Sequence, residues 1–145
     1  MLADLAAFVS KLEAAIDDTM QTTVAEGAKK ALEEAAYTEV YDAYTPEFLS
    51  RRGSSGGIPD QGNMEVNYGG MTLTIQDEAP WQQLWGGTVP GGRLAEAIAT
   101  GDPRYNMGKA GPRPFHQAAE QNFTSSGEFD RLLAQGLRAH GFVVK

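Results

Sequence analysis

Apolar and polar residues alternate along two short arms between residues 64 and 75, with the pair Gly69-Gly70 between the arms. The apolar positions are Met64, Val66, Tyr68, Met71, Leu73 and Ile75. Side chains on a strand alternate between its faces, so a two-residue turn at the glycines places all six on one face of a β-hairpin. Because two strands alone are marginally stable in water, we expect helices from elsewhere in the chain to cover this face.

Residues 2 to about 41 carry apolar side chains at spacings of three and four, which predicts a long amphipathic helix. These positions are Leu2, Leu5, Phe8, Val9, Leu12, Ile16, Met20, Val24, Ala28, Ala31, Leu32 and Ala35. A helix of forty residues is about 60 Å long, which exceeds the width of a compact domain. We therefore expect it to bend near Gly27 or Thr22-Thr23, or to project toward a partner chain.

Shorter helices follow the hairpin. Residues 93 to 99 form an apolar-periodic segment, and Pro114 suits the first position of a later helix. Ser125 and Glu128 have the spacing of a capping box that starts the last helix, and Gly141 has the place of a C-terminal glycine cap. We expect residues 142–144 to end as a short strand.

These elements predict an α+β fold in a single domain that spans residues 1–145. A small antiparallel sheet with a central hairpin, residues 64–75, packs against the long N-terminal helix and two C-terminal helices. The chain lacks cysteine, which excludes a disulfide scaffold, a thiolate metal site and a cysteine nucleophile. No stretch approaches the roughly 18 apolar residues of a membrane span, and the first residues do not have the pattern of a secretory signal.

The net charge of −7 is concentrated in the first third of the chain. Residues 1–50 contain ten acidic and three basic side chains, whereas residues 51–145 contain nine of each. An acidic surface repels nucleic acid. The simplest interpretation of this charge is a solvated helix face.

The residues that could support catalysis are few. His116 and His140 are the only histidines and are too far apart in the chain for metal-ligand spacing, so we expect no metal site and no cofactor. Asp77 and Glu78 precede Trp81 and Trp85, a combination found in carbohydrate sites. Adjacent carboxylates on an extended chain point apart, so we assign no catalytic residue and expect a protein that is not an enzyme.

Two short motifs carry a resemblance to a known family. Gly92-Arg93-Leu94 follows the predicted sheet, and Arg113-Pro114-Phe115 opens the penultimate helix. In this order, after a long N-terminal helix and a glycine-rich loop, they resemble head–tail joining proteins of tailed phages and prophages. The stretch from Ala99 to Tyr105 departs from the pattern of related neck proteins, which leaves open the alternatives of a tail terminator or a minor tail protein.

The resemblance implies a virion structural protein that assembles in the host cytoplasm. Such proteins form six-fold or twelve-fold rings at the neck or upper tail, next to head-completion and tail proteins, and DNA passes through without specific binding. The residues that we expect at such an interface lie in two glycine-bearing loops and beside the second motif: Arg51, Arg52, Arg104, Tyr105, Lys109 and Arg113. Alternatives from other classes are a cell-wall or polysaccharide hydrolase that uses Asp77, Glu78 or His116, and a small prophage-encoded binding module.

Overall fold

The computed structural model describes residues 1–43, 53, 55–82, 88–89, 91–102 and 111–145. Its first element is one uninterrupted helix over residues 2–41, as predicted. It consists of α1 (Leu2–Thr19), a π-helical segment (Met20–Val24), α2 (Ala25–Ala35) and a second π-helical segment (Ala36–Tyr41). The residues at the junctions keep right-handed helical backbone angles. The predicted disturbance near Thr22-Thr23 is therefore a change of hydrogen-bond pattern inside a continuous helix.

The predicted hairpin is present, but its turn lies one residue later than expected. Strand β1 (Met64–Gly69) pairs antiparallel with β2 (Thr72–Asp77), with Tyr68 opposite Leu73. Gly70 and Met71 form the turn, with φ angles of 56° and 60°, which is the left-handed region that a type I′ turn needs at both positions. Met71 is thus 59% exposed at the tip, and the prediction that it lies on the apolar face was wrong.

The covered face of the hairpin also carries a carboxylate, because Asp77 continues the period of two from Leu73 and Ile75. Val66 lies opposite Ile75, and Met64 lies opposite Asp77. Asp77 and Met64 are buried, whereas the residues on the other face of both strands are exposed. A second, minimal antiparallel pair joins β3 (Trp81–Gln82) to β4 (Thr88–Val89).

Three helices complete the described part of the chain: α3 (Arg93–Thr100), α4 (Phe115–Ser125) and α5 (Glu128–Ala139). Helix α4 extends through Ser125, and Gly127 in the left-handed region is the residue before α5, so the predicted Ser125–Glu128 capping box does not form. Instead, the Ser126 hydroxyl accepts a hydrogen bond from the Glu128 backbone N–H at 3.4 Å. Gly141 follows the end of α5 with a φ of 88°, as predicted, but residues 142–144 form no strand.

The buried side chains form two clusters along the long helix. One cluster lies between α2, the hairpin, α3 and the start of α4, with Phe115 fully buried at its centre. The other joins the first π-helical segment to the end of α4 and to α5 through Val24, Phe123 and Leu132, and Tyr68 and Leu73 pack against it. The helices therefore cover the apolar face of the hairpin, which confirms the α+β architecture.

Candidate functional site

Of the six predicted interface residues, Arg113 alone lies within the described part of the chain. Arg51, Arg52, Arg104, Tyr105 and Lys109 lie outside the described residues. The backbone N–H of Arg113 donates to the Ile98 carbonyl at 3.1 Å, and its own carbonyl accepts from the Phe115 N–H at 2.8 Å. Arg113 is 7% exposed, so it connects the end of α3 to the start of α4. Its pairing with a neighbouring subunit stays a prediction.

The residues that carry the family resemblance start two helices. Gly92 precedes α3 with a φ of 78°, a backbone conformation that suits glycine, and Leu94 is buried. Pro114 directly precedes α4, near its first position as predicted, and Phe115 is 0% exposed. Both motifs therefore fix the orientation of helices in the core.

A pocket of about 440 Å³ opens where the end of the hairpin meets α3 and α4. Its lining includes Asp77 and Glu78 from the hairpin end, Arg93 and Glu96 from α3, and His116 from α4. The structure thus brings together the three residues that the hydrolase alternative would need. Arg93 and Glu96 were not predicted to join them, although their spacing of three on a helix puts both on one face.

Asp77 is the most strongly perturbed group in this pocket. One carboxylate oxygen, Oδ1, accepts a hydrogen bond from the Ala79 backbone N–H at 2.9 Å, and Oδ2 is buried without a hydrogen-bond partner among the described residues. Burial raises the pKa of Asp77 to about 6, against the opposing effect of the Ala79 hydrogen bond and with a smaller contribution from Glu78 and Asp60. Asp77 can therefore exchange a proton near neutral pH, a property of general acids.

Two further groups near the hairpin, His116 and Asp60, have lowered pKa values. Burial lowers the pKa of His116, whose ring lies 4.0 Å from that of Phe115, so the neutral imidazole is favoured. Asp60 accepts hydrogen bonds from the backbone N–H groups of Gly62 (2.9 Å) and Gly56 (2.7 Å), which lower its pKa. Asp60 thereby holds the chain in the turn that leads into β1.

The acidic side chains of the long helix are mostly solvated, and three of them tie the helix to other elements. Glu33 accepts a hydrogen bond from the Gln61 side chain. Asp17 accepts a hydrogen bond from the Tyr68 hydroxyl at 2.7 Å, and Asp18 lies 2.8 Å from His140. Glu13, Glu26, Glu34 and Glu39 are exposed. These carboxylates lie on the surface of the folded protein, and we call them together the negative face of the long helix.

The first three turns of α1 expose a row of large apolar side chains. Met1, Leu2, Leu5, Phe8 and Val9 are 103%, 84%, 58%, 52% and 42% exposed, respectively. Phe8 packs edge-to-face on Phe142, with ring centroids 5.9 Å apart. The first residue of α1 with a buried side chain is Ala15, so we call residues 1–14 the overhang of the helix.

Within the described residues, no group of three or more His, Cys, Asp or Glu side chains is placed to bind a metal ion. In the same part of the chain, no helix has the length and hydropathy of a membrane span. The candidate surfaces of this protein are thus the acidic pocket, the negative face of the long helix and the apolar overhang.

Comparison with protein families matches the chain to the YomN family model over residues 2–139. The chain belongs to the YomN family. The family name derives from a Bacillus phage or prophage, so the protein is phage-associated, which agrees with the resemblance found in the sequence at that level. The chain matches no curated protein and no solved structure.

Proposed function

We propose that this YomN-family protein is a virion structural protein that forms a ring around the DNA path at the head–tail junction of a tailed phage. The observation that carries the proposal is the family match over residues 2–139, which supports the phage setting. The two helix-starting motifs support the position in the virion, because they resemble those of head–tail joining proteins. The ring would contain six or twelve copies and contact head-completion and tail proteins.

The negative face of the long helix supports a place beside the DNA. Carboxylates that line the inner wall of a ring repel phosphate groups, so DNA slides past without binding. Glu13, Glu26, Glu34 and Glu39 are exposed and available for this role. A ring reconstruction in which these residues lie on the outer surface would contradict the assignment.

The ring is tested by electron microscopy of the purified protein together with mass photometry across a range of concentrations. We expect closed rings with a mass of six or twelve copies of the 15.6 kDa chain. Because some ring proteins assemble only on a template, the same measurement is made on purified particles, with the protein located by an antibody label. A label at the tail tip, or a protein absent from particles, would contradict the proposal. A one-to-one heterodimer would favour the binding module instead.

The predicted interface residues allow a sharper test. We expect the triple substitution Arg104→Ala, Tyr105→Ala and Lys109→Ala, and separately Arg51→Ala with Arg52→Ala, to abolish rings without lowering the thermal unfolding temperature. Arg131→Ala is the matched control, because Arg131 pairs with Glu128 of its own helix at 2.6 Å on an exposed surface. Rings that persist in both sets of variants would remove these loops from the interface.

The acidic pocket favours a hydrolase as the second candidate function, because Asp77, Glu78 and His116 line one cavity. The raised pKa of Asp77 is suited to a general acid, but its Oδ2 is shielded from solvent and its Oδ1 is held by Ala79. Cell-wall release assays with the wild type, Glu78→Gln and His116→Ala test this alternative. Activity in the wild type that both substitutions abolish would replace the structural proposal.

A further inference from the structure

We propose that the outer edge of strand β1 pairs with the same edge of a second copy of this chain, so that two hairpins form one four-stranded antiparallel sheet. This inference goes beyond the proposed ring, because a two-fold contact joins only two copies, whereas a ring needs head-to-tail contacts. The ring contacts are assigned to the loops that contain Arg51 and Arg104, so one copy has separate surfaces for the two contacts.

The hydrogen bonds of the hairpin determine which backbone groups of β1 point outward. The Glu78 N–H donates to the Asn63 carbonyl at 2.8 Å, so these two residues form a hydrogen-bonded pair. Hydrogen-bonded and non-hydrogen-bonded pairs alternate along an antiparallel ladder. The pair of Val66 and Ile75 lies three steps further along and is therefore of the second kind. Its N–H and C=O groups point away from the partner strand, and the same holds for Tyr68, two residues later.

The outer edge of β1 is unpaired. Within the described residues, no other backbone group bonds to the N–H or C=O group of Val66 or Tyr68. Natural proteins protect such edges with lysine, proline or a β-bulge. The sequence of β1, Met-Glu-Val-Asn-Tyr-Gly, contains neither lysine nor proline, and the register of β1 with β2 has no bulge. The edge therefore offers the donors and acceptors of both residues to a further strand.

The packing of the core favours β1 over β2 as the accessible edge. Ile75 on β2 packs against the cluster around Phe115, whereas Val66, directly opposite on β1, packs against neither cluster. Val66 is nevertheless only half-buried. The middle of β1 thus lies at the margin of the helical layer, where a strand of a second copy has room and gives Val66 an apolar neighbour.

Strand β1 is complementary to itself in one antiparallel register. With Asn67 on the two-fold axis, Val66 of each copy lies opposite Tyr68 of the other, and each of these two pairs exchanges two hydrogen bonds. Aromatic and β-branched side chains pair favourably across strands. Glu65, the only charged residue of β1, lies opposite Gly69 in this register, so no like charges meet.

A lysine at the axis tests the pair. Asn67 and Thr74 are matched positions, because they lie opposite each other in the hairpin and both are exposed. We expect Asn67→Lys to weaken self-association about fivefold or more, because it puts like charges directly opposite each other. Thr74→Lys adds the same charge on β2, away from the axis, and should leave association unchanged. Sedimentation equilibrium of the full chain measures both, and circular dichroism verifies that both variants fold.

Three outcomes of the sedimentation experiment would overturn the proposal. They are a wild type that stays monomeric at all concentrations, equal association of Asn67→Lys and the wild type, and a loss of association in Thr74→Lys alone, which would assign the contact to β2. A mixture of Asn67→Lys with Asn67→Glu tests the axis itself. We expect it to associate more tightly than either variant alone, because opposite charges then face each other, and no gain in the mixture would overturn the register.

Backbone amide exchange followed by NMR tests the hydrogen bonds. The amides of Val66 and Tyr68 should exchange more slowly at high protein concentration, whereas those of Leu73 and Ile75 on the other edge should not. Unchanged exchange at Val66 and Tyr68 would overturn the proposal. All measurements are repeated in the triple variant of residues 104, 105 and 109, in which the proposed ring contact is removed. A failure of the pair is thereby distinguished from a failure of the ring.

Discussion

At the scale of single residues, Asp77 is a carboxyl group that the fold removes from water, although a charged side chain is more stable when it is solvated. Its register opposite Met64 fixes it on the covered face of the hairpin, and the Ala79 N–H satisfies one of its two oxygens. The predicted arm ended at Ile75, whereas β2 extends two residues further, to Asp77, and the period of two puts Asp77 on the same face as Ile75. The perturbed carboxyl is therefore a consequence of the length of β2.

We expect Asp77→Asn to change the pH dependence of folding. A pKa of about 6 in the folded protein against 3.8 for an ordinary aspartate means that the folded state binds the proton more tightly. The wild type thus loses stability as the pH rises from about 4 to above 6, by roughly 3 kcal/mol at most. Asp77→Asn should be more stable than the wild type at pH 8, and this difference should vanish below pH 4.

Urea unfolding from pH 3.5 to pH 8 measures the difference for Asp77→Asn. Asp60→Asn is the control, and its effect on stability should have the opposite sign. Hydrogen bonds lower the pKa of Asp60, so replacing this carboxylate should reduce the free energy of unfolding at neutral pH. If the free energy of unfolding changed equally with pH in the wild type and in Asp77→Asn, then Asp77 would have an ordinary pKa in the folded protein.

Two glycines in the second core cluster differ in what surrounds them. A Cβ at Gly136 would lie 2.8 Å from the Cβ of Thr19, which is 1% exposed and has no room to move. At Gly27 the nearest obstacle is the tip of the Leu132 side chain, which can rotate. We expect Gly136→Ala to destabilise the fold by about 1–3 kcal/mol, and Gly27→Ala by less. Urea unfolding of both variants measures this, and equal losses would contradict the interpretation.

At the scale of elements, the hairpin shows how far alternation predicts structure. The period of two identified both strands and the face that the helices cover, because either register keeps Val66, Tyr68, Leu73 and Ile75 on one side. The turn itself was not predictable from the period. Three residues, Gly69, Gly70 and Met71, offered two choices of turn, and the glycine pair was the more obvious one.

The backbone of the hairpin is strained at Met71, and substitution of this residue tests the strain. It adopts a φ of 60° in the turn, a conformation that costs a residue with a Cβ about 1 kcal/mol or more. Its side chain is 59% exposed, so little packing is lost on its removal. We expect Met71→Gly to stabilise the protein by about 1 kcal/mol, and Gly70→Ala to destabilise it by a similar amount. Thermal unfolding of both variants tests this, and a loss of stability in Met71→Gly would contradict it.

At the scale of the whole molecule, the order of the periodic segments predicted the fold class, and the distribution of charge along the chain predicted the acidic surface. The pocket was not predictable, since it joins residues as far apart as Asp77, Glu96 and His116. The predicted interface rests on Arg51, Arg52, Arg104, Tyr105 and Lys109, which lie outside the described residues. It stays a prediction for the assembled particle to test.

The negative face of the long helix can be tested in particles. If it lines the DNA path, the combined substitutions Glu26→Lys and Glu34→Lys should slow DNA ejection several-fold, because the lysines would bind phosphate groups. Glu65→Lys with Glu120→Lys is the matched control, with the same change of charge on exposed positions of the hairpin and α4. Ejection followed by dye fluorescence measures the rates, and identical rates in both double variants would exclude this face from the lumen.

The π-helical segment Met20–Val24 lies within the core, because Met20 and Val24 are buried and so are Ala15 and Thr19 just before it. Hydrogen bonds that span five residues instead of four accommodate one residue more than an α-helical turn does. Each residue of an α-helix turns the chain by about 100°, so this single additional residue sets the rotation of α1 about the helix axis relative to α2. The segment therefore determines which side of α1 faces the core once α2 is packed, and both helices bury residues there.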